Sequence, residues 1–208
     1  MDIGGIVLAG GKGTRLRENK ALETIGKRTL LEQVVFRLGL LDSDIPIVIA
    51  SGCCYPQLAG YPRLRIAGDI YPGKGPLSGI YTGLKSSDSF YNLVVACDMP
   101  FLNRDLLLYM IEAATGFDLV IPRLGNLIEP LHAVYTKNCL VPIERLLEKD
   151  SLSVRGLFPM VRVRYVEADE IEQFDPEHLS FFNINTGADL ERARELIERF
   201  GGMSYDKC

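Results

Sequence analysis

Short apolar runs alternate with stretches of helical hydrophobic spacing along this 208-residue chain. Five apolar runs are predicted strands, at residues 6–9, 45–50, 93–97, 119–121 and 161–166. The first four are continuously hydrophobic, which is typical of buried parallel strands. Helical spacing predicts helices at 30–38, from about Pro76, at 106–111 after a cap at Asn103, at 139–147 and at 188–200.

This alternation predicts an α/β fold, in which helices cover both faces of a mostly parallel sheet. A chain of 208 residues can form one good core, and no repeat or linker divides it. We therefore expect a single domain over residues 1–208, built as a three-layer α/β/α sandwich. Ligands bind beyond the carboxyl ends of the strands in such sheets, so the residues that follow each strand are the first site candidates.

Composition and charge argue against several classes of function. Hydrophobic residues make up 47% and charged residues 24%, and the net charge of -4 argues against an extended nucleic-acid-binding face. No run of 18 apolar residues and no signal peptide is present, so no membrane association is predicted. The five cysteines show no C-x-x-C spacing, which favours reduced thiols over a zinc site. We expect a cytoplasmic protein.

A glycine-rich segment follows the first predicted strand. Gly10, Gly11 and Gly13 lack Cβ atoms where the backbone must turn sharply, and inward N–H groups in such a turn bind phosphate oxygens. Leu16 breaks the dinucleotide fingerprint, and the residue after Lys12 is not the Ser or Thr of a Walker loop. Four cations lie close together: Lys12, Arg15, Arg17 and Lys20. Cations beside amide donors neutralise a triphosphate, so the segment predicts an NTP site.

A carboxylate follows the third predicted strand. Asp98 comes directly after residues 93–97 and is expected at the same edge of the sheet as the glycine segment. Magnesium is usually held by one or two carboxylates together with substrate phosphates. Opposite a phosphate loop, Asp98 is predicted to bind Mg²⁺ rather than only to cap the turn before Pro100.

Colinear segments from about residue 6 to residue 190 resemble the molybdenum cofactor guanylyltransferases. They are LAGGKGTR at 8–15 followed by Lys20, GD at 68–69, GPLSG at 75–79, ACDMP at 96–100, EPL at 129–131 and FNINT at 182–186. The first segment is shared by the nucleotidyltransferase superfamily, whereas GPLSG, EPL and NINT point to the molybdopterin branch. The resemblance implies a Rossmann-like sheet of the nucleotide-diphospho-sugar transferase type.

The resemblance also implies a reaction. GMP would pass from GTP to the terminal phosphate of molybdopterin, with or without bound molybdenum, and pyrophosphate would be released with the help of Mg²⁺. Other cofactor-biosynthesis proteins would be transient partners.

The same resemblance implies roles for individual residues. Backbone groups at the end of the first strand and in the glycine segment would contact the nucleotide: Leu8, Ala9, Gly10, Gly11 and Gly13. Arg15 would steady the triphosphate and Lys20 would reach its phosphates. Asp69 would help to hold the guanine nucleotide, and Asp98 would bind both nucleotide and Mg²⁺. Asn183 and Asn185 would lie beside the acceptor or the metal, and Asn185 would join Arg15, Lys20 and Asp98 in catalysis.

Related functions stay open because the chain departs from the family pattern twice. Residues 15–20 lack the glycine that commonly precedes the lysine, and Ala50 and Ser51 stand where the family often supplies an asparagine to the nucleotide. A cytidylyltransferase acting on the same pterin and a guanylyltransferase acting on adenosylcobinamide phosphate are the nearest alternatives. A regulatory module that binds nucleotide without turnover would not require both Lys20 and Asp98.

Overall fold

The computed structural model describes residues 2–9, 20–42, 45–50 and 55–201. The strands within these residues are β1 (Ile3–Leu8), β2 (Thr24–Ile25), β3 (Arg28–Thr29), β4 (Ile47–Ala50), β5 (Leu64–Ala67), β6 (Tyr91–Ala96), β7 (Leu119–Leu124), β8 (Leu127–Ile128), β9 (His132–Thr136) and β10 (Val163–Glu167). The α-helices are α1 (Leu30–Gly39), α2 (Gly75–Ser86), α3 (Arg104–Glu112), α4 (Leu140–Glu148), α5 (Ala168–Ile171) and α6 (Gly187–Gly201).

The main sheet has the strand order β10-β7-β9-β6-β1-β4-β5, and β8 pairs with β7. β1 runs parallel to β6 and β4, and β4 runs parallel to β5. β9 runs antiparallel to both β6 and β7. The carboxyl ends of β5, β4, β1 and β6 therefore lie along one edge of the sheet, together with the amino end of β9. The predicted mostly parallel sheet is confirmed.

Helices cover both faces of this sheet, because alternate side chains of each strand point to opposite sides. On β1, Val7 packs on the side of α1 and α3, whereas Ile6 and Leu8 pack on the side of α2 and α4. Leu31 of α1 and Ile143 of α4 are fully buried against opposite faces. The predicted three-layer α/β/α sandwich is confirmed.

Capping residues begin two helices that follow the sheet. The Asn103 side chain accepts a hydrogen bond from the Leu106 N–H at 3.0 Å and caps α3, as the sequence predicts. At the start of α6, Thr186 Oγ1 accepts from the Asp189 N–H at 3.2 Å, and the Asp189 carboxylate accepts from the Thr186 N–H at 2.8 Å. Reciprocal bonds of this kind satisfy donors in the first helical turn and fix where the helix begins.

The hydrophobic pattern alone does not predict β5. Arg65 and Ile66 of this strand are exposed, so the strand lacks the continuous apolar run of its neighbours. It occupies the edge of the sheet beside β4, where burial is lower. In the ranges that the structure describes, no helix is both long and apolar enough to cross a membrane.

Candidate active site

The loop after β6 is tied to its neighbours at the carboxyl edge of the sheet. The Cys97 N–H donates to the Leu8 carbonyl at 3.1 Å, which draws the chain toward the end of β1. The Asp98 carbonyl accepts from the Ile184 N–H at 3.0 Å, which joins this loop to the segment that leads into α6. Backbone bonds therefore place Asp98 beside residues that follow it by more than eighty positions.

Three side chains from distant parts of the chain meet at this edge. Lys20 Nζ lies 2.6 Å from Asp98 Oδ2 and 2.8 Å from Asn185 Oδ1. The side chains of Lys20 and Asp98 are each 21% exposed, so water screens their ion pair only in part. The fold thus brings together three of the four residues that the resemblance implies for catalysis.

The backbone of Lys20 is fixed against α1. Lys20 begins a 3-10 turn, Lys20–Leu22, in which Ala21 is buried. The Glu23 N–H donates to the Lys20 carbonyl at 3.1 Å, and the Leu30 N–H donates to the Glu23 carbonyl at 2.8 Å. The ammonium group therefore reaches the site from a well-supported turn.

One oxygen of Asp98 has no hydrogen-bond partner among the described residues. Oδ1 is buried, and no donor in the described part of the chain bonds to it. Burying a carboxylate oxygen costs free energy unless the oxygen has a hydrogen-bond donor or a cation as partner. The other oxygen of Asp98, Oδ2, and the amide oxygen of Asn185 both contact the same positive charge, that of Lys20. These oxygens fit Mg²⁺, which prefers oxygen ligands and completes its shell with water and phosphates.

Two titratable neighbours shape the electrostatics around Asp98. Burial raises the pKa of the Glu129 carboxyl, and the negative charge of Asp98 raises it further. Burial also raises the pKa of Cys97 to about 12, so its thiol stays protonated at neutral pH and is a poor nucleophile. The site therefore has a carboxylate-rich rim, and its cysteine is inert.

For Glu129 of the EPL segment, the sequence alone is equally compatible with a solvent-exposed loop residue and with a functional one. Its Oε1 accepts from the Leu131 N–H at 3.2 Å, and the Leu131 carbonyl accepts from the Ala96 N–H at 3.0 Å. These bonds place Glu129 at the site edge because β9 starts where β6 ends. The EPL motif is the only sequence signal for Glu129. The antiparallel direction of β9 is what places this residue at the site.

The two asparagines of the FNINT segment have different environments. Asn185 contributes its amide oxygen to Lys20, and its N–H donates to Asp189 at 2.9 Å. That N–H and the Thr186 hydroxyl, both donating to Asp189, lower the pKa of this carboxyl. Asn183 instead donates to the Phe181 carbonyl at 3.3 Å and does not join the Lys20 cluster.

Asp69 lies at the same edge but farther along it. It follows β5, and three inter-strand steps separate β5 from β6, or about 14 Å at ordinary strand spacing. Its Oδ1 accepts from Ser78 Oγ, and from Thr82 Oγ1 and the Tyr71 N–H at 3.3 Å each. A ligand that touches both Asp69 and Asp98 must therefore extend across the ends of β4 and β1.

The end of β1 borders this span. The Ala9 N–H donates to the Ala50 carbonyl at 3.2 Å, and the Ala9 carbonyl accepts from the Tyr55 hydroxyl at 2.8 Å. The carbonyl of Leu8 is bonded to the loop of Asp98. The remaining predicted residues lie outside the described residues: Gly10, Gly11, Gly13 and Arg15.

The protein is a mostly parallel α/β/α sandwich, and a lysine, a carboxylate and an amide converge beyond the ends of its strands. This is the architecture of a nucleotide-binding enzyme. Comparison with known proteins defines the class further. Residues 5–164 match the family model of the MobA-like NTP transferase domain. The chain belongs to this family of nucleotidyltransferases.

Relatives and a solved structure agree with this assignment over most of the chain. The chain is 38% identical to the probable molybdenum cofactor guanylyltransferase of Pelotomaculum thermopropionicum, over 93% of each protein. It is 39% identical to that of Methanosarcina mazei, over 89% of this chain and 87% of the relative. Molybdopterin-guanine dinucleotide biosynthesis protein A from Archaeoglobus fulgidus superimposes with a TM-score of 0.79 and 27% identity, over 94% of this chain and 99% of that one.

Proposed function

We propose that the chain transfers GMP from GTP to the terminal phosphate of molybdopterin, with or without bound molybdenum, and releases pyrophosphate. The observation that carries the proposal is the meeting of Lys20, Asp98 and Asn185 at the carboxyl edge of the sheet. It is supported by relatives named molybdenum cofactor guanylyltransferase that match nearly the whole chain. The product is the guanine dinucleotide form of the cofactor.

The reaction requires negative charge to be offset. An oxygen of the acceptor phosphate forms a bond to the α-phosphorus of GTP, while the bond from that phosphorus to the pyrophosphate oxygen breaks. Both reactants are anionic, so fixed positive groups at the α-phosphate favour the transition state. Lys20 is the described cation nearest to Asp98 and would serve this purpose.

Lys20 has to change partners when GTP binds. Its ammonium bonds to Asp98 and Asn185. A triphosphate offers several charged oxygens, so we propose that the ammonium moves onto them. Asp98 and Asn185 would then be free to hold Mg²⁺, which when bound neutralises phosphate charge and polarises phosphoryl oxygens.

The remaining predicted residues complete the proposed site. The N–H groups of Gly10, Gly11 and Gly13 would donate to phosphate oxygens, and Arg15 would steady the triphosphate. Backbone groups of Leu8 and Ala9 would contact the nucleotide. Asn183 would serve the acceptor, after its side chain leaves the Phe181 carbonyl.

Asp69 would bind the guanine end of the nucleotide. Its distance from Asp98 along the sheet edge suits a ligand whose phosphates lie at Lys20. We place the reaction in the cytoplasm, in keeping with the cysteine pattern and with Cys97 and Cys139 being free thiols. Proteins that make the pterin or receive the product would be transient partners.

The test is a panel of reactions with purified protein. GTP, CTP, ATP or UTP is incubated with Mg²⁺ and molybdopterin, and both pyrophosphate and the dinucleotide product are measured. We expect GTP to give product fastest and to raise the melting temperature most, because a ligand that binds only the folded state stabilises it.

The same panel separates the alternatives. Faster product formation with CTP would replace the guanylyl assignment by a cytidylyl one. Product with adenosylcobinamide phosphate but not with molybdopterin would identify a different acceptor. Nucleotide binding with no pyrophosphate from any acceptor would favour a regulatory module and contradict the proposed function.

A further inference from the structure

Two buried hydroxyl groups on α2 converge on Asp69. Ser78 and Thr82 are one helical turn apart, so their side chains lie on the same face of the helix. Both are fully buried, and both donate to Asp69 Oδ1. A buried hydroxyl group costs free energy unless it has a hydrogen-bond partner, and the Asp69 carboxylate is such a partner for both residues.

The direction of these bonds is fixed by a third contact. Thr82 Oγ1 accepts from the Ile70 N–H at 3.0 Å, which leaves its own proton for Asp69. The Tyr71 N–H also donates to Oδ1 at 3.3 Å. Three donors therefore meet on one carboxylate oxygen, and the two that come from α2 tie that oxygen to a helix packed on the sheet.

The other oxygen of Asp69 is differently placed. No described residue donates to Oδ2, and the Asp69 side chain is only partly buried. With Oδ1 saturated, rotation of the carboxylate would break bonds to Ser78 and Thr82. Oδ2 is consequently held as a single, oriented hydrogen-bond acceptor at the edge of the sheet.

The position of this acceptor indicates which part of a nucleotide it would contact. Asp69 lies about three inter-strand steps from the Lys20 and Asp98 pair that would hold the phosphates. The base is the part of a nucleotide farthest from its phosphates, with the ribose between them. Guanine presents adjacent N–H and amino donors on one edge, whereas cytosine presents a single amino donor beside acceptors.

We infer that Ser78 and Thr82 are positioning residues that orient Asp69 toward the donor edge of guanine and thereby set base selectivity. The inference rests on the proposed function, since it assumes that a nucleotide lies along this edge. The hydroxyl groups do not touch the nucleotide. They act by keeping Oδ1 occupied and Oδ2 available.

The experiment compares nucleotide binding and turnover in four variants. Ser78→Ala removes one donor, and Thr82→Val removes the other at nearly constant volume. Thr82→Ser keeps the hydroxyl group and should restore binding. Ser86→Ala is the matched control, because Ser86 lies at the far end of the same helix and its side chain makes no bond to Asp69.

Binding of GTP, ITP and CTP is measured by calorimetry without acceptor, and kcat and KM are then measured with acceptor. ITP keeps the ring N–H of guanine but lacks its amino group. In Ser78→Ala and Thr82→Val we expect GTP affinity to fall by about ten- to a hundredfold, the scale of a lost bond to a charged group. CTP affinity should change little, KM for GTP should rise, and kcat should stay within about twofold.

Several outcomes would overturn the inference. If both variants kept the wild-type preference for GTP over ITP and CTP, the hydroxyl groups would not set selectivity. Equal weakening of all three nucleotides would indicate a general structural role, as would a similar loss in Ser86→Ala. The melting temperature of each variant without ligand shows whether it is folded, and Ser78→Ala carries the test if Thr82→Val is not folded.

Failure of the proposed function gives a different result. In that case the wild type itself would bind no nucleotide, would prefer CTP, or would bind nucleotide without releasing pyrophosphate with any acceptor. A wild type that prefers GTP beside variants that retain this preference contradicts only the role of Ser78 and Thr82.

Discussion

At the scale of single residues, one ammonium group joins three distant parts of the chain at the site. Lys20 bonds to both Asp98 and Asn185, which follow it by 78 and 165 positions. Asp98 also acts on the partly buried Glu129, whose pKa is raised by burial and further by the charge of Asp98. The same cation is proposed to serve the triphosphate, so its two sets of partners compete.

Replacement of Lys20 by alanine should lower the turnover number by about a hundredfold, the scale of losing one charge-stabilising group in a transition state. The measurement is initial-rate pyrophosphate release at saturating GTP and Mg²⁺. Lys27→Ala is the control, because Lys27 is exposed in the turn between β2 and β3. Near-normal turnover in Lys20→Ala would show that the ammonium does not act on the phosphates.

Lys20 and a divalent cation should also compete for Asp98 when no nucleotide is present. We expect Lys20→Ala to bind Mn²⁺ about fivefold more tightly than the wild type, which corresponds to an ion pair worth roughly 1 kcal/mol. Electron paramagnetic resonance of free Mn²⁺ provides the measurement. Equal or weaker binding in the variant would place the cation away from Asp98 and Asn185.

At the scale of elements, α2 approaches β1 at a glycine. A Cβ atom on Gly83 would lie 2.3 Å from Ile6 Cγ2, closer than two such atoms can come. Ile6 is fully buried in the core between the sheet and α2, so it has little room to move. This close approach sets the height of α2, and therefore of Ser78 and Thr82, above the sheet.

In Gly83→Ala, overpacking alone should therefore cost about 1–3 kcal/mol of stability. This loss competes with a gain in helix propensity of about 1 kcal/mol for alanine over glycine, and the clash should prevail. Urea unfolding measures the difference. The matched control is Gly39→Ala at the end of α1, where an added Cβ meets no atom within 4 Å, and this variant should be neutral or slightly stabilised. A stabilised Gly83→Ala would mean that α2 does not pack this closely.

Local patterns predict the elements better than their arrangement. β1, β4, β6 and β7 have continuous apolar runs because both faces of each are covered, and Asn103 caps α3 where the hydrophobic spacing begins. β5 escapes prediction because its side chains are partly exposed at the sheet edge. The direction of β9 depends on which strands it pairs with, and no residue of its own encodes that choice.

The candidate site shows the same division. Asp98 is predictable because it follows a buried strand, and Lys20 because it follows a glycine segment. The contribution of Asn185 depends on a contact across 165 positions and on the cap of α6. Glu129 depends on the direction of β9, and the convergence of Ser78 and Thr82 on Asp69 depends on the height of α2. Motif resemblance can suggest such residues, but only packing brings their atoms together.

At the scale of the whole molecule, stability should depend on pH through one buried histidine. His132 begins β9 and is fully buried, and neither ring nitrogen has a partner in the described residues. Burial lowers its pKa from 6.5 to about 4, because the charged form would lose its hydration. The unfolded chain therefore binds a proton that the native state excludes, and stability falls as the pH drops from 6.5 toward 4.

This term should cost the wild type about 2 kcal/mol between pH 7.5 and pH 5. His132→Leu lacks the titrating group, so its free energy of unfolding should decline less than that of the wild type over this range. The prediction concerns only this change with pH, not the stability of the variant at either pH. Urea unfolding of both proteins at the two pH values gives the comparison, and every other titrating group is common to both. Parallel losses would show that His132 is protonated in the native state or is accessible to water.

The central claim concerns the chemistry at the sheet edge, and the most direct test is a magnesium titration of the guanylyl-transfer rate in the wild type and Asp98→Asn. Asparagine keeps the size of the side chain but withdraws the charge that attracts Mg²⁺. The variant should stay folded, bind GTP with little dependence on magnesium, and transfer GMP at least two orders of magnitude more slowly, on the scale of lost electrostatic stabilisation. Superimposable magnesium curves for the two proteins would contradict the claim, because they would show that Asp98 neither binds the metal nor supports transfer.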